Sequence, residues 1–182
     1  MRTILLFAAA GLSACASSGL APAPTRPVET VRVAGAGTGA INVRAAETEV
    51  ARPKTLAMNV DRVWSALPAV YESLGIPVAE LNQGSRTIGN PGLRVRGRLG
   101  DTRLSRYLDC GAAQGGPNAE TYNVTLSVLT SVQAQGEAAT AVLTDVQASA
   151  RPVSLAGEPV RCSTKGALEN RIADALRAMP QG

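Results

Sequence analysis

Two long segments near the C-terminal end, "TYNVTLSVLTSVQ" and "ATAVLTDVQASARPV", constrain the fold of this 182-residue chain more than any other feature. Each is rich in Val, Leu and Thr, each alternates apolar with polar residues, and "AQGEA" separates them. Alternation with period two places one set of side chains on each face of a sheet, and a short polar, glycine-bearing break favours an antiparallel hairpin. A sheet with one apolar face must be covered. The cover is predicted at "NVDRVWSALPAVYESLGI" and "STKGALENRIADALRAM". In the first, Val60, Val63, Trp64, Leu67, Val70, Tyr71 and Leu74 recur at three-and-four spacing, Asn59 suits the N-cap, Asp61 the first turn and Gly75 the stop. Pro68 lies within it and is expected to bend it. Trp64 and Tyr71 read as core side chains in preference to a ligand platform. In the second helix Ser163 or Thr164 is the expected cap, and Leu168, Ile172, Leu176 and Met179 form the apolar stripe.

Shorter elements fill the interval. "IPVAEL" and "TIG" predict two strands around "NQGSR", "GLRVRGRLG" alternates as one strand, "TRLSRYLDCG" is open between strand and short helix, and "AAQGGPNAE" reads as a loop. Upstream, "VETVRV" and "AINVRAAETEV" read as strands joined by "AGAGTG", which lacks the Gly-Lys-Ser/Thr of a phosphate loop. The expected class is α+β: an antiparallel β-sheet with two amphipathic helices packed on one face, a two-layer arrangement.

The N-terminus carries a different signal. Arg2, the apolar run Ile4 to Leu12 and the small residues Ser13 and Ala14 form the three zones of an export signal. As a helix the run rises about 14 Å, short of the roughly 30 Å of a bilayer core. "LSAC", Leu12 to Cys15, is similar to the lipobox of bacterial lipoproteins. The resemblance implies cleavage before Cys15, a diacylated Cys15 thioether and an acylated amino terminus. Ala16, where that family uses aspartate for inner-membrane retention, implies the outer membrane. The competing reading is an ordinary signal cleaved near Ala8 to Ala10 that leaves Cys15 as a free thiol. Residues 1–14 are thus expected to be a lipoprotein signal peptide, 15–27 a proline-rich tether, and 28–180 a single α+β domain. The segment Val60 to Gly89 also resembles the helix-grip domains of the lipoprotein C subunit of the outer-membrane β-barrel assembly machine, through Trp64, Gly75 and Ile88. The long hairpin and the remaining cysteines lie outside that resemblance.

The composition excludes several chemistries. The chain has no histidine, so histidine triads and histidine metal sites are ruled out. Asp101, Asp109, Glu120 and Asp145 show no spacing that pairs them. The reading is therefore non-enzymatic, with no metal and no cofactor. A net charge of +4 on an exported chain is too small for a nucleic-acid binder. Cys110 and Cys162 form an even pair in an oxidising compartment and predict a disulfide, worth roughly 3 to 4 kcal/mol by loop-closure entropy, against the alternative of two buried thiols.

One surface feature remains. Arg94, Arg96 and Arg98 line one face of a predicted strand at spacings of about 6.6 to 6.8 Å, with Arg103 and Arg106 close behind. They suit an anionic ligand or an acidic partner, or they form the solvated side of an amphipathic strand, the reading preferred on sequence alone. Two functions follow: a membrane-anchored envelope scaffold or assembly accessory acting through a protein partner, and, as the alternative, a binding module for an anionic or amphiphilic envelope ligand such as a lipid headgroup or lipopolysaccharide.

Overall fold

The computed structural model describes residues 51–153 and 157–179. In chain order the elements are β1 (Lys54–Leu56), α1 (Val60–Ser73), β2 (Glu80–Asn82), β3 (Thr87–Arg96), β4 (Arg98–Leu99), β5 (Thr102–Arg103), a 3₁₀ turn (Leu104–Arg106), β6 (Leu108–Asp109), β7 (Ala112–Ala113), β8 (Gly116–Pro117), α2 (Asn118–Thr121), β9 (Asn123–Ala134), β10 (Thr140–Arg151), β11 (Val160–Thr164) and α3 (Ala167–Ala178). They make an α+β fold with a curled antiparallel sheet and three helices among the described residues. The path across the sheet is β5-β4-β3-β9-β10-β11-β6, with β2 beside β3 and β1 beside β10. All described residues lie in one compact unit, Ala46–Gly182. Met1 to Val50, on which the expected signal peptide, lipobox-like segment, tether and first hairpin fall, lie outside the described residues.

The predicted hairpin is the axis of this sheet. β9 and β10 pair along their full length, from Thr140 opposite Ala134 to Arg151 opposite Asn123. Alternation then decides what each face carries. Val124, Leu126, Val128, Thr130 and Val132 of β9 are buried, as are Val142, Thr144, Val146, Ala148 and Ala150 of β10. They form one apolar cluster with Val63, Leu67, Val70 and Tyr71 of α1 and Leu168, Ile172 and Leu176 of α3. Each fully buried Val, Leu or Ile there contributes about 1.5 to 3 kcal/mol relative to exposure. Polar groups on this face are bonded to one another. The Tyr71 hydroxyl lies 2.9 Å from Thr130 Oγ1, which lies 2.9 Å from Thr144 Oγ1. Burial pushes the Tyr71 phenol up to about 12, and the Thr130 hydrogen bond opposes the shift.

Helix α1 forms as expected: Asn59 Oδ1 accepts the Asp61 N–H at 2.8 Å, and Gly75 sits at φ +71° just past the end. Pro68 lies on the exposed side, and the helix runs unbroken from Val60 to Ser73. Trp64 is half-buried against the core. Helix α3 departs from expectation at its start. Gly166, not Ser163 or Thr164, occupies the N-cap, because Ser163 and Thr164 are already committed to β11. Thr164 Oγ1 instead accepts the Gly166 N–H at 3.1 Å and donates to Glu169 Oε1 at 2.7 Å.

Three further expectations are corrected. "GLRVRGRLG" is not one straight strand: Gly97 adopts φ +71°, β3 ends at Arg96, and Arg98 returns opposite it on β4. "AAQGGPNAE" is not wholly loop, since β7 pairs with β8 and Asn118 opens α2. Val160–Thr164 is a strand that pairs with β10 and β6, unforeseen because it is short and only Cys162 in it is buried. Cys162 is bonded to Cys110, with Cα atoms 4.1 Å apart. The disulfide therefore ties the end of β6 to β11.

Candidate functional site

The other face of the sheet follows from the same alternation. Register sets Arg94 of β3 opposite Thr125 of β9, Thr125 opposite Ser149 of β10, and Ser149 opposite Arg161 of β11. The next row on that face runs Arg96, Asn123, Arg151. Directly opposed residues point to the same side of a sheet, so four arginines share one face around a hydroxyl and amide floor. Strands spaced about 4.7 to 4.9 Å apart set Arg96 and Arg151 about 10 Å apart at the backbone, and Arg94 and Arg161 about 14 Å.

Arg94, Arg96 and Arg151 line an open cavity of about 720 Å³ with Asn123, Thr125 and Ser149 as its floor and Pro159 at its rim. A second cavity of about 510 Å³ adjoins it, sharing Thr125, Ser149 and Pro159 and adding Arg161. Among the described residues neither is lined by a carboxylate. Asp145 is occupied with Gln147, whose amide donates to its Oδ2 at 2.8 Å, and Glu158 precedes the rim residue Pro159. The arginines used by the fold look different. Arg86 pairs with Asp61 at 2.7 Å, Arg177 with Asp174 at 2.6 Å, and Arg171 donates to Thr102 Oγ1 and Tyr107 Oη at 2.6 and 2.9 Å. Arg94, Arg96, Arg151 and Arg161 have no ion pair or side-chain hydrogen bond among the described residues.

The five arginines singled out from sequence therefore separate. Arg94 and Arg96 lie together on the open face. Arg98, opposite Arg96 on the short strand β4, lines neither cavity and donates to the Asp101 carbonyl. Arg103 faces Glu120 at 3.6 Å, and Glu120 also accepts from the Ser105 hydroxyl. Arg106 is exposed on the 3₁₀ turn and lines neither cavity. Sequence reading missed Arg151 and Arg161. Indexing the hairpin outward from "AQGEA" places Arg151 opposite Asn123, but nothing in the sequence marked Val160–Thr164 as the next strand.

Other clusters carry less. Asp109 Oδ1 accepts the Gly111 N–H at 2.9 Å in a tight turn. Among the described residues there is no group of three His, Cys, Asp or Glu able to hold a metal, and no helix long and apolar enough to cross a membrane. No protein-family model matches this chain, and none of the curated proteins compared with it matches either.

Proposed function

We propose that this chain is a lipid-anchored protein of the bacterial envelope, held by acylated Cys15 at the outer membrane and facing the periplasm, whose non-catalytic domain binds an anionic envelope ligand on the open face of its sheet. The observation that carries this reading is the set of four arginines on one face, without carboxylate partners among the described residues, over Asn123, Thr125 and Ser149. Like charges gathered on a sheet repel, and an anionic ligand removes that cost. Within this reading the sheet and the α1 and α3 layer form a two-layer, helix-grip-like domain, with the helices bearing the core and the far face free for a ligand.

The test uses the full-length chain with Cys15→Ser, which separates docking by the domain from insertion of the lipid. Native domain surface should sediment with anionic but not with neutral vesicles, and less as salt rises, because exposed charges are screened over about 8 to 10 Å at physiological ionic strength. Arg94→Gln with Arg96→Gln and Arg151→Gln should abolish sedimentation. Equal binding by this variant would overturn the reading. Cys15→Ser should itself move the protein from membranes to the soluble or precursor fraction; palmitate labelling that persists in it would remove the anchor.

The scaffold function retains one supporting observation. Among the described residues strand β2 pairs only with β3, and its Leu81 is 48 % exposed, which suits a contact with a protein partner at that edge. Envelope crosslinking from position 81, with no loss on removing the arginines, would favour it.

A further inference from the structure

The four arginines are arranged as two forks. Arg94 and Arg96 stand two residues apart on β3, about 6.7 Å along the strand. Arg151 and Arg161 are diagonal neighbours on β10 and β11, about 7 to 8 Å apart. Two strand spacings, about 10 Å, separate the forks. The strip between them holds Asn123, Thr125 and Ser149, whose side chains make no hydrogen bond among the described residues.

Each part asks for a particular ligand group. A guanidinium presents parallel N–H donors that match two oxygens of one phosphate, and two arginines whose backbones lie about 7 to 8 Å apart on one sheet face can reach one phosphate from both sides. One phosphate fills one fork and leaves the other bare. The hydroxyl and amide strip offers donors and acceptors to hydroxyl groups, while the long apolar side chains of β9 and β10 are turned mostly toward the helices. A cavity of about 720 Å³ is the size of a small-molecule site and opens to solvent.

We infer that this face binds a sugar carrying two phosphate groups, one held by Arg94 and Arg96, the other by Arg151 and Arg161, with Asn123, Thr125 and Ser149 hydrogen-bonding the sugar between them. The inference rests on the anion-docking reading above and narrows it to one ligand chemistry, approached from solvent.

Calorimetric titration of the full-length Cys15→Ser chain with fructose 1,6-bisphosphate and with glucose 6-phosphate tests it. The bisphosphate should bind at least about tenfold more tightly, the increment expected when a second charge-assisted contact forms. Arg151→Gln with Arg161→Gln should reduce bisphosphate affinity to the level of the monophosphate. Arg151→Lys with Arg161→Lys should fall between, because lysine keeps the charge and loses the fork. Far-UV circular dichroism and melting establish that each variant is folded. Equal affinity for the two sugars, or an unchanged Arg151→Gln, Arg161→Gln variant, overturns the inference. Binding to anionic vesicles with no binding of either sugar also overturns it while leaving the anion-docking reading in place. Loss of both removes the two together.

Discussion

Neighbouring residues of β9 meet two different environments. Leu126, Val128 and Thr130 enter the layer beneath α1 and α3, and even the hydroxyls there are bonded to one another through Tyr71, Thr130 and Thr144. Thr125, one residue from Leu126, instead faces Arg94 on one side and Ser149 on the other. On the covered face Tyr71, Thr130 and Thr144 bond to one another, whereas on the open face four cationic side chains have no partner among the described residues. Stability does not require that arrangement. Where an arginine serves the fold, as at Arg86, Arg103 or Arg171, a carboxylate or hydroxyl stands beside it. On the proposed reading, these four mark the face that meets the anionic ligand.

The sharpest way to break this division is to cut each side of the same strand. Leu126 is 1 % exposed between Leu93 and Ala148, so Leu126→Ala opens a cavity that strands on both sides cannot close. It should cost about 2 to 5 kcal/mol in urea denaturation. Thr125→Ala should change stability by no more than about 0.5 kcal/mol. Comparable losses at the two positions would show that the faces do not differ in the way described.

A smaller effect sharpens the covered side. The folded-state value of Tyr71 is pushed up to about 12 from 10.0, chiefly by burial. Because the folded value lies above the unfolded one, the neutral phenol's contribution is fully present below about pH 10 and is lost as pH rises toward 12. The shift corresponds to about 2 to 3 kcal/mol. Native protein should accordingly lose melting temperature between about pH 10 and pH 12, whereas Tyr71→Phe should cost ~1 kcal/mol near neutrality through the lost hydrogen bond and lack this alkaline component. An alkaline profile unchanged in Tyr71→Phe would assign the loss to other groups.

The covered side was legible in the sequence because burial writes a period. The β9 and β10 alternation and the three-and-four spacing of α1 and α3 all appear as apolar repeats, and Asn59 and Gly75 mark where α1 begins and stops. The open side was legible only in part. Arg94 and Arg96 stood out because they share a strand, but Arg98 was grouped with them since the reversal at Gly97 leaves the alternating pattern intact. Arg151 and Arg161 lie far along the chain and join the group only through cross-strand register. Register between β3 and β9 shifts between Asn90 and Leu93, at Pro91 and Gly92, and a one-residue error there would have sent Arg94 to the other face.

The smallest expected effect bears most directly on the open side. Arg94 and Arg96 lie about 6.7 Å apart, within the Debye length of about 8 Å at physiological salt, so their repulsion is only partly screened. Raising ionic strength with chloride should stabilise native protein by a few tenths of a kcal/mol, the scale of like-charge pairs on a sheet. Phosphate at equal ionic strength should stabilise it further if the forks bind it, since a ligand bound to the folded state adds stability in proportion to its occupancy. Arg94→Gln with Arg96→Gln and Arg151→Gln should remove the part of the difference between the two salts that comes from binding, while leaving the general salting effect of phosphate on hydrophobic burial, which the variant measures by itself. Subtracting the variant's response from the native response thus isolates binding at the arginines. If the subtraction leaves nothing, the open face is a solvated strand surface and the contrast between the two sides of β9 is one of burial alone.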